Sequence, residues 1–492
     1  MCKMDDSSFN PTGQLSPSLA PTEVPITWDD PREKRNPQHW STLSKIFHTA
    51  IPCFLAFEIT FSTSVTVPAT DLIALEFGLN RTESLLPLTL YTLGVAFGPV
   101  LIAPLSEEFG RKYVYVGTMS CLLAFLGGAA AANNFATLLI CRLFAGILGS
   151  AGIAVGGGTI ADVWALEKAG TQASLLFILG PFLGPTLGPL AGAYILKDKG
   201  YDWRWTHYLL LILGAPIWLG CILMKETSKS WILRNELDSN EKAAKIKSRR
   251  LVMTAMARPV KMLFQEVIVS SLALYTAFAY AMIFSYFASS SYILQLYYGF
   301  NLREVGLSFI SVIIGYILAT IMFAVLDKTL YARAARASPT GSAGPEHRLY
   351  AALVGSFFLP AALFWYAWEA RRGGNWAAEV ASGIFLGLGS FSLFLSAITF
   401  MVDFYRAKAA ASAIAANGIL RYTLGAVFPL FTIQMYENLG VSHAGTVFAG
   451  LSILLLPIPW LLFSQAGWLK KHSRFISEEH QQTQQHSVLE SR

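Results

Sequence analysis

The sequence predicts an all-α integral membrane protein with 12 transmembrane helices in two six-helix bundles. Hydrophobic residues make up 54% of the 492 residues and charged residues only 14%, whereas soluble proteins carry about 25% charged residues. Twelve apolar runs approach the length of about 20 residues that a helix needs to cross a hydrocarbon core of roughly 30 Å. A polar stretch separates the first six runs from the last six, which predicts two bundles joined by a linker.

Composition divides the chain into five segments. They are a cytoplasmic disordered tail (1–45), an N-terminal six-helix bundle (46–224), a cytoplasmic linker (225–265), a C-terminal six-helix bundle (266–465) and a cytoplasmic tail (466–492). The predicted spans are 46–67, 84–105, 113–132, 136–160, 172–196, 208–224, 266–288, 304–326, 348–368, 377–402, 409–432 and 443–465.

The distribution of basic residues predicts the orientation in the membrane, because Lys and Arg concentrate in cytoplasmic loops. The linker 225–265 contains "EKAAKIKSRR", whereas 132–135 and 289–302 hold no Lys or Arg. Three further basic loops lie on the linker side: 107–112, 327–336 and 403–408. Both termini are therefore predicted in the cytoplasm. The loop 68–83 faces outward, and its Asn80 begins an Asn-Arg-Thr acceptor for N-glycosylation.

Several function classes lose support at this stage. The net charge of +6 does not indicate nucleic-acid binding, because the basic residues lie between apolar spans and not in one patch. The five cysteines form no CxxC pair, and the eight histidines fall in tails, loops or span ends, so neither a metal site nor an enzyme centre is expected. The sequence contains no GxxxxGK[ST] phosphate loop. We therefore expect no cofactor, and an ion gradient as the energy source if the protein pumps.

The predicted fifth span contains "GPFLGPTLGPLAG", in which glycine and proline recur at helical spacing. The glycines are Gly180, Gly184, Gly188 and Gly192, and the prolines are Pro181, Pro185 and Pro189. Small residues let membrane helices approach closely, while each proline removes an amide hydrogen bond and bends the helix. Two interpretations remain open: a kinked packing helix, or a deformable seam on which two halves of a transporter rock.

This stretch resembles the antiporter motif on span five of the major facilitator superfamily, with Pro189 in place of the usual second glycine. "APLSEEFGRK" at 103–112 resembles the family's motif between spans two and three, although Ala103, Glu107 and Glu108 depart from it. "RLFAG", which begins at Arg142, resembles the fourth-span arginine motif, and "DDPREKRNPQHWS" resembles the segment before span one in fungal 12-span drug:proton antiporters. The resemblance implies the major facilitator fold and multidrug or toxin efflux.

Two ionisable residues inside spans are the candidates for proton coupling. Glu58 lies mid-span in "FLAFEITFSTS", and a membrane interior favours the neutral form of a carboxyl. Arg142 lies in the fourth span, where the resemblance implies a proton-relay or cavity role, with structural pairing as the alternative. We hypothesise that the two side chains meet across the N-terminal cavity. The alternative for Glu58 is an uncharged acid hydrogen-bonded between helices.

The second half contains its own candidates. Arg421 lies mid-span in "AANGILRYTLG", where it either attracts an anionic substrate or pairs with a helix carbonyl, and Asn417 lies one turn earlier on the same face. An aromatic substrate surface is predicted from Tyr275, Tyr280, Phe284 and Phe391, because aromatic walls suit flat or lipophilic solutes. Core or lipid-facing aromatics are the alternative.

Charged residues at the cytoplasmic span ends suggest a latch. The resemblance implies that Glu107, Arg111 and Asp162 form a charge latch that stabilises the outward-facing state, and Asp327 occupies the equivalent loop of the second half. Solvated loop charges are the alternative.

The leading functional prediction is proton-coupled export of hydrophobic small molecules by alternating access between two bundles. The candidate cargoes are drugs, toxins or an endogenous secondary metabolite. An uncoupled facilitator or importer is the alternative, and a membrane enzyme is the remote one. The expected partners are the lipid bilayer, a small-molecule substrate and protons, for a monomer in the plasma membrane, with the vacuolar membrane as second choice.

Overall fold

The computed structural model describes residues 28–469 except 29, 31–32, 165–167, 236–256, 339–340, 342, 372, 406 and 468. Within these residues it contains twelve helices long and apolar enough to cross a membrane, and no strand. Spans one to twelve are, in order, Thr42–Phe77, Leu86–Phe109, Arg111–Ala130, Phe135–Val163, Leu176–Asp198, Arg204–Leu223, Val267–Tyr298, Leu302–Ala337, Pro345–Glu369, Trp376–Tyr405, Ala409–Leu439 and Val441–Ser464. The prediction of an all-α membrane protein with twelve spans is confirmed.

Several spans run beyond their predicted ends, because helical structure continues past the apolar run. Span one continues beyond Ser64 through a 3-10 turn and a second helix, Thr70–Phe77, and stops at Gly78, whose positive φ of 66° suits glycine. Span eight continues past the predicted residue 326 through a short π-helical turn, Asp327–Tyr331. Hydropathy marks the membrane crossing, whereas capping and backbone conformation decide where a helix ends.

The predicted N-terminal tail ends earlier than residue 45. Pro37–His39 form a 3-10 turn capped by Asn36, and Glu33 and Asn36 are buried. Trp40 packs on His48, with ring centroids 4.5 Å apart. Hydrogen bonds from the Arg35 guanidinium and amide lower the pKa of Glu33 to about 2. Residues 33–41 are therefore folded against the start of span one, while 1–27, most of the linker and 470–492 lie outside the described residues.

The polar contacts between the two bundles lie toward one side of the molecule. We call the side of the loop between spans two and three the inner side, which the charge pattern predicts to be cytoplasmic, and the opposite side the outer side. Among the described residues, the hydrogen bonds and ion pairs between bundles lie at the midplane or toward the outer ends. They are Thr186–Tyr316, Thr89–Ala426, Thr82–Gln434, Arg81–Glu437 and Arg303–Asp198. The bundles therefore meet at the outer side in this structure.

Candidate substrate and coupling sites

A cluster of aromatic rings surrounds Arg421 where the two bundles meet; we call it the Arg421 cage. The guanidinium carbon lies 4.5 Å from the ring centre of Phe394, 4.4 Å from that of Tyr422, 4.9 Å from that of Tyr280 and 5.8 Å from that of Phe182. These distances are within the range of cation–π attraction. Spans five, seven, ten and eleven each contribute to the cage.

Phe182 connects the cage to the N-terminal bundle. It is 2% exposed, and its ring centre lies 4.8 Å from that of Phe391 and 5.6 Å from that of Tyr316. Span five thus inserts an aromatic side chain among spans seven, eight, ten and eleven of the other bundle. Phe182 was not predicted from the sequence, although it is the only aromatic residue in the Gly-Pro stretch.

The predicted substrate residues divide into two groups. Tyr280 contacts the guanidinium of Arg421, Phe284 packs on Tyr280 with ring centres 5.1 Å apart, and Phe391 packs on Phe182. Asn417 is buried one helical turn from Arg421 and donates from Nδ2 to Thr276 at 2.6 Å. Tyr275 instead donates to the carbonyl of Ser356 on span nine, away from these contacts.

Arg142 is buried and fully paired inside the N-terminal bundle. It donates from Nη2 to the carbonyl of Ser62 at 2.7 Å, from Nη1 to the Ser62 hydroxyl at 3.0 Å and from Nε to the carbonyl of Pro87 at 3.3 Å. Its guanidinium carbon lies 4.2 Å from the ring centre of Tyr91. Backbone carbonyls thus satisfy a charge that the sequence analysis expected to meet a carboxylate.

Glu58 does not pair with Arg142 in this structure. It is 1% exposed, and neither carboxyl oxygen has a hydrogen-bond partner. Its Oε1 lies beside Gly214 of span six, near Met119 and Leu123 of span three. The side chain therefore lies between spans one, three and six. Ser62, the residue that binds Arg142, stands one helical turn away on span one, so the two groups are linked through this helix and not by an ion pair.

A second buried carboxyl lies in the C-terminal bundle, and the sequence analysis missed it. Glu379, near the outer end of span ten, is 0% exposed and accepts a hydrogen bond from Ser290 of span seven at 3.3 Å. Its other oxygen has no partner. The signal was a carboxylate three residues into the apolar run "WAAEVASG". Among the described residues, each bundle therefore holds one buried acid inside a membrane span.

The glycines of span five pack against span one, as the small-residue stripe predicts. A Cβ on Gly184 would lie 2.2 Å from the Thr60 hydroxyl, and one on Gly188 would lie 2.2 Å from that of Ser64. At Gly180 the nearest atom would be 3.4 Å away. This close seam lies inside the N-terminal bundle and not between the two halves, which favours the packing interpretation for the glycines.

The prolines of span five have a specific partner. Proline has no amide hydrogen, so Pro189 cannot donate to the carbonyl of Pro185, its usual partner four residues back. The hydroxyl of Ser64 donates to this carbonyl at 2.7 Å. A serine of span one thus satisfies the group that the proline frees, which is how membrane helices tolerate proline.

The inner ends of the spans carry two charge clusters. In the N-terminal bundle Arg111 pairs with Asp162, and Glu226 accepts from the backbone amides of Arg111 and Lys112 at 2.9 and 3.0 Å. Glu226, missed within a basic linker, thereby caps the start of span three. Glu107 is exposed and forms no direct ion pair among the described residues, although its charge acts on the Arg111 guanidinium.

The second cluster repeats this arrangement in the C-terminal bundle. Arg348 at the start of span nine donates to Asp327 at 2.6 Å and to Asp403 at 2.7 Å. Asp327 was predicted, whereas Arg348 and Asp403 were not. Each cluster lies within one bundle, so in this structure neither latch joins the halves.

Two arginines join the bundles at the outer side. Arg81 pairs with Glu437 at 3.4 Å and lies 4.9 Å from the ring centre of Tyr292, while Arg303 pairs with Asp198. Both follow a helix N-cap asparagine, Asn80 or Asn301, in a capping box. This repeated Asn-x-x-Glu spacing was a readable signal. Glycosylation of the exposed Asn80 stays a prediction.

The comparisons with known proteins agree with this twelve-span architecture. The family model described as Major Facilitator Superfamily matches residues 53–429. The chain belongs to the major facilitator superfamily. This major facilitator is 34% identical over 465 residues to "MFS-type transporter traF" of Penicillium crustosum, covering 94% of this chain and 95% of the relative.

Other relatives of this major facilitator carry different functional names. It is 32% identical to "Efflux pump radE" of Floropilus chiversii, covering 92% of this chain and 85% of the relative. It is 33% identical to "Polyamine transporter 4" of Saccharomyces cerevisiae, covering 92% of this chain and 73% of the relative. The fold is similar to a solved structure of the human organic anion transporter MFSD10, with a TM-score of 0.55 at 18% identity over 85% of this chain and 100% of that one. The protein is a multi-pass membrane transporter of a family with fungal efflux pumps.

Proposed function

We propose that this transporter exports lipophilic small molecules in exchange for protons by alternating access, and that it does so in the plasma membrane. The relatives named as efflux pumps support the direction of transport. The absence of a phosphate-loop motif from the sequence favours an ion gradient over ATP as the energy source. The chemistry of the Arg421 cage, with its aromatic lining at the junction of the bundles, suits a flat lipophilic substrate.

The observation that carries proton coupling is the isolation of Glu58. Insertion scales give a free-energy cost of about 2.5–3.5 kcal/mol for a charged side chain at the centre of a membrane helix. Both oxygens of Glu58 lack a partner among the described residues, so this acid is best accommodated with its proton on. Release of the proton then needs a second conformation that hydrates the carboxyl, which ties protonation to the transport cycle.

The test uses purified protein in sealed vesicles with an imposed proton gradient and the neutral aromatic dye Nile red as probe. We expect accumulation that a protonophore abolishes. Glu58→Gln should lose gradient-driven accumulation while retaining exchange of probe across the membrane without a gradient. Glu379→Gln is the matched control, because it replaces the buried acid of the other bundle. Asp71→Asn is a second control, because it replaces an exposed acid.

The outcomes separate the candidates. Probe that only equilibrates in wild-type vesicles would indicate an uncoupled facilitator. Wild-type accumulation in Glu58→Gln with loss in Glu379→Gln would move the coupling acid to the C-terminal bundle. Wild-type accumulation in both variants would exclude both acids.

A further inference from the structure

Arg421 is a buried cation whose hydrogen-bonding groups are left open. The residue is 5% exposed, and Nε and Nη1 have no hydrogen-bond partner. No ion pair of the described residues includes it, and the buried acids Glu58 and Glu379 lie against other helices. A buried charge without a hydrogen-bonded or ionic partner is unfavourable, so a ligand that supplies such a partner would be stabilised here.

The groups around Arg421 are also open. The hydroxyls of Tyr280 and Tyr422 and the amide oxygen of Asn417 are buried without a partner. The rings of Tyr280 and Tyr422 pack on the guanidinium of Arg421, and Asn417 lies one helical turn before Arg421 on span eleven. A buried group of donors and an acceptor without partners indicates a site whose hydrogen bonds are completed by a bound molecule.

The aromatic rings of the cage define the rest of such a molecule. Phe182, Tyr280, Phe394 and Tyr422 place ring faces within 5.8 Å of the guanidinium carbon. A guanidinium presents a planar fork of donors that matches a carboxylate, and ring faces suit a flat apolar body. An ammonium group would meet the like charge of Arg421 at this place.

We propose that the Arg421 cage binds the carboxylate of a flat, lipophilic organic acid, with Arg421 holding the carboxylate and the rings holding the apolar body. This inference rests on the proposed function, of which it names the substrate class. Because Phe182 comes from the other bundle, a ligand in the cage contacts both bundles. The site therefore lies where substrate binding and the movement of the bundles meet.

The experiment measures binding of three probes that share one aromatic body: pyrenebutyrate, pyrenebutanol and pyrenebutylamine. Affinities are measured by fluorescence on the full-length protein in detergent at neutral pH, with no gradient. Each affinity is corrected for the partition of that probe into empty micelles of the same detergent, so that the three probes can be compared with one another. We expect wild type to bind the acid most tightly and the amine most weakly.

The variants assign the preference to one side chain. Arg421→Gln should weaken binding of the acid at least about tenfold, because a charge-assisted hydrogen bond is lost, and should change the affinity for the alcohol by less than about threefold. Arg421→Lys should retain part of the preference. Phe182→Leu should lower the affinity for all three probes by a similar factor. Arg336→Gln removes an exposed arginine and should match wild type.

Four results would overturn the inference. They are equal affinity of wild type for the three probes, a preference for the acid that persists in Arg421→Gln, tighter binding of the amine, and no binding of any probe. Tighter binding of the amine would point instead to polyamine-like cargo. Because binding is measured without a gradient, a failure of proton-driven transport leaves this result intact, and the two failures are distinguishable.

Discussion

The two bundles differ in whether the guanidinium nitrogens of their buried arginines have hydrogen-bond partners. In the N-terminal bundle, Arg142 donates through three nitrogens to Ser62 and Pro87 and packs on Tyr91. In the C-terminal bundle, Arg421 lies among four aromatic rings with Nε and Nη1 unpaired. The first arginine binds helices together, whereas the second leaves its donors available. An arginine within a span therefore does not by itself identify a substrate site; the state of its donors does.

The contrast extends to neighbouring polar groups. In the N-terminal bundle, the carbonyl that Pro189 frees is satisfied by Ser64. In the C-terminal bundle, Tyr280, Tyr286 and Tyr422 have buried hydroxyls without partners, as does one oxygen of Glu379. Among the described residues of the N-terminal bundle, the carboxyl oxygens of Glu58 and Nε2 of His207 are the buried side-chain atoms without a partner. We infer that the N-terminal bundle serves mainly as a packed frame and the C-terminal bundle supplies most of the ligand contacts.

Replacing Arg142 should have the largest effect on stability, and it tests whether this arginine holds the N-terminal helices together. Arg142→Leu leaves the carbonyls of Ser62 and Pro87 without donors in a buried site. We expect the free energy of unfolding to fall by about 3–5 kcal/mol, measured by thermal or denaturant unfolding in detergent. Arg142→Lys should recover part of the loss, because an ammonium cannot reproduce the planar fork. If Arg142→Leu were as stable as wild type, this arginine would not be needed to hold the helices of the N-terminal bundle together.

Replacing Ser64 tests a single bond in the same bundle. Ser64→Ala should cost about 1–3 kcal/mol, because the carbonyl of Pro185 is left buried and unpaired. In a Pro189→Ala background the same change should cost less, because position 189 then carries an amide that donates to this carbonyl. A double-mutant cycle on thermal stability measures the difference. Equal costs in the two backgrounds would show that Ser64 acts otherwise than by satisfying the proline.

Replacing Arg421 should have the smallest effect on stability. Arg421→Leu removes an unpaired buried charge, so the ligand-free protein should stay within about 1 kcal/mol of wild type or become more stable. Thermal unfolding in detergent, run beside Arg142→Leu, gives the direct comparison. A loss of several kcal/mol would mean that both arginines are structural and that the contrast between the bundles does not hold.

The sequence by itself determined the membrane fold, because span length and hydropathy are local properties. Twelve apolar runs, the polar linker and the small-residue stripe of span five were all readable, and the structure contains the corresponding helices and the close approach of Gly184 and Gly188 to span one. The structure also brings the predicted Tyr280, Phe284, Phe391 and Arg421 close together, whereas the predicted Tyr275 lies apart from them.

Only the tertiary structure decided which groups meet. Glu58 and Arg142 were expected to pair, yet Arg142 found backbone carbonyls and Glu58 faces Gly214. Phe182 reaches the Arg421 cage from the other bundle, and Glu226 contacts Arg111 at the start of span three from 115 residues away along the chain. These contacts depend on how separate helices rotate and approach each other. Hydropathy places a residue inside a membrane, but helix packing decides whether its polar atoms are paired there or remain available to a ligand.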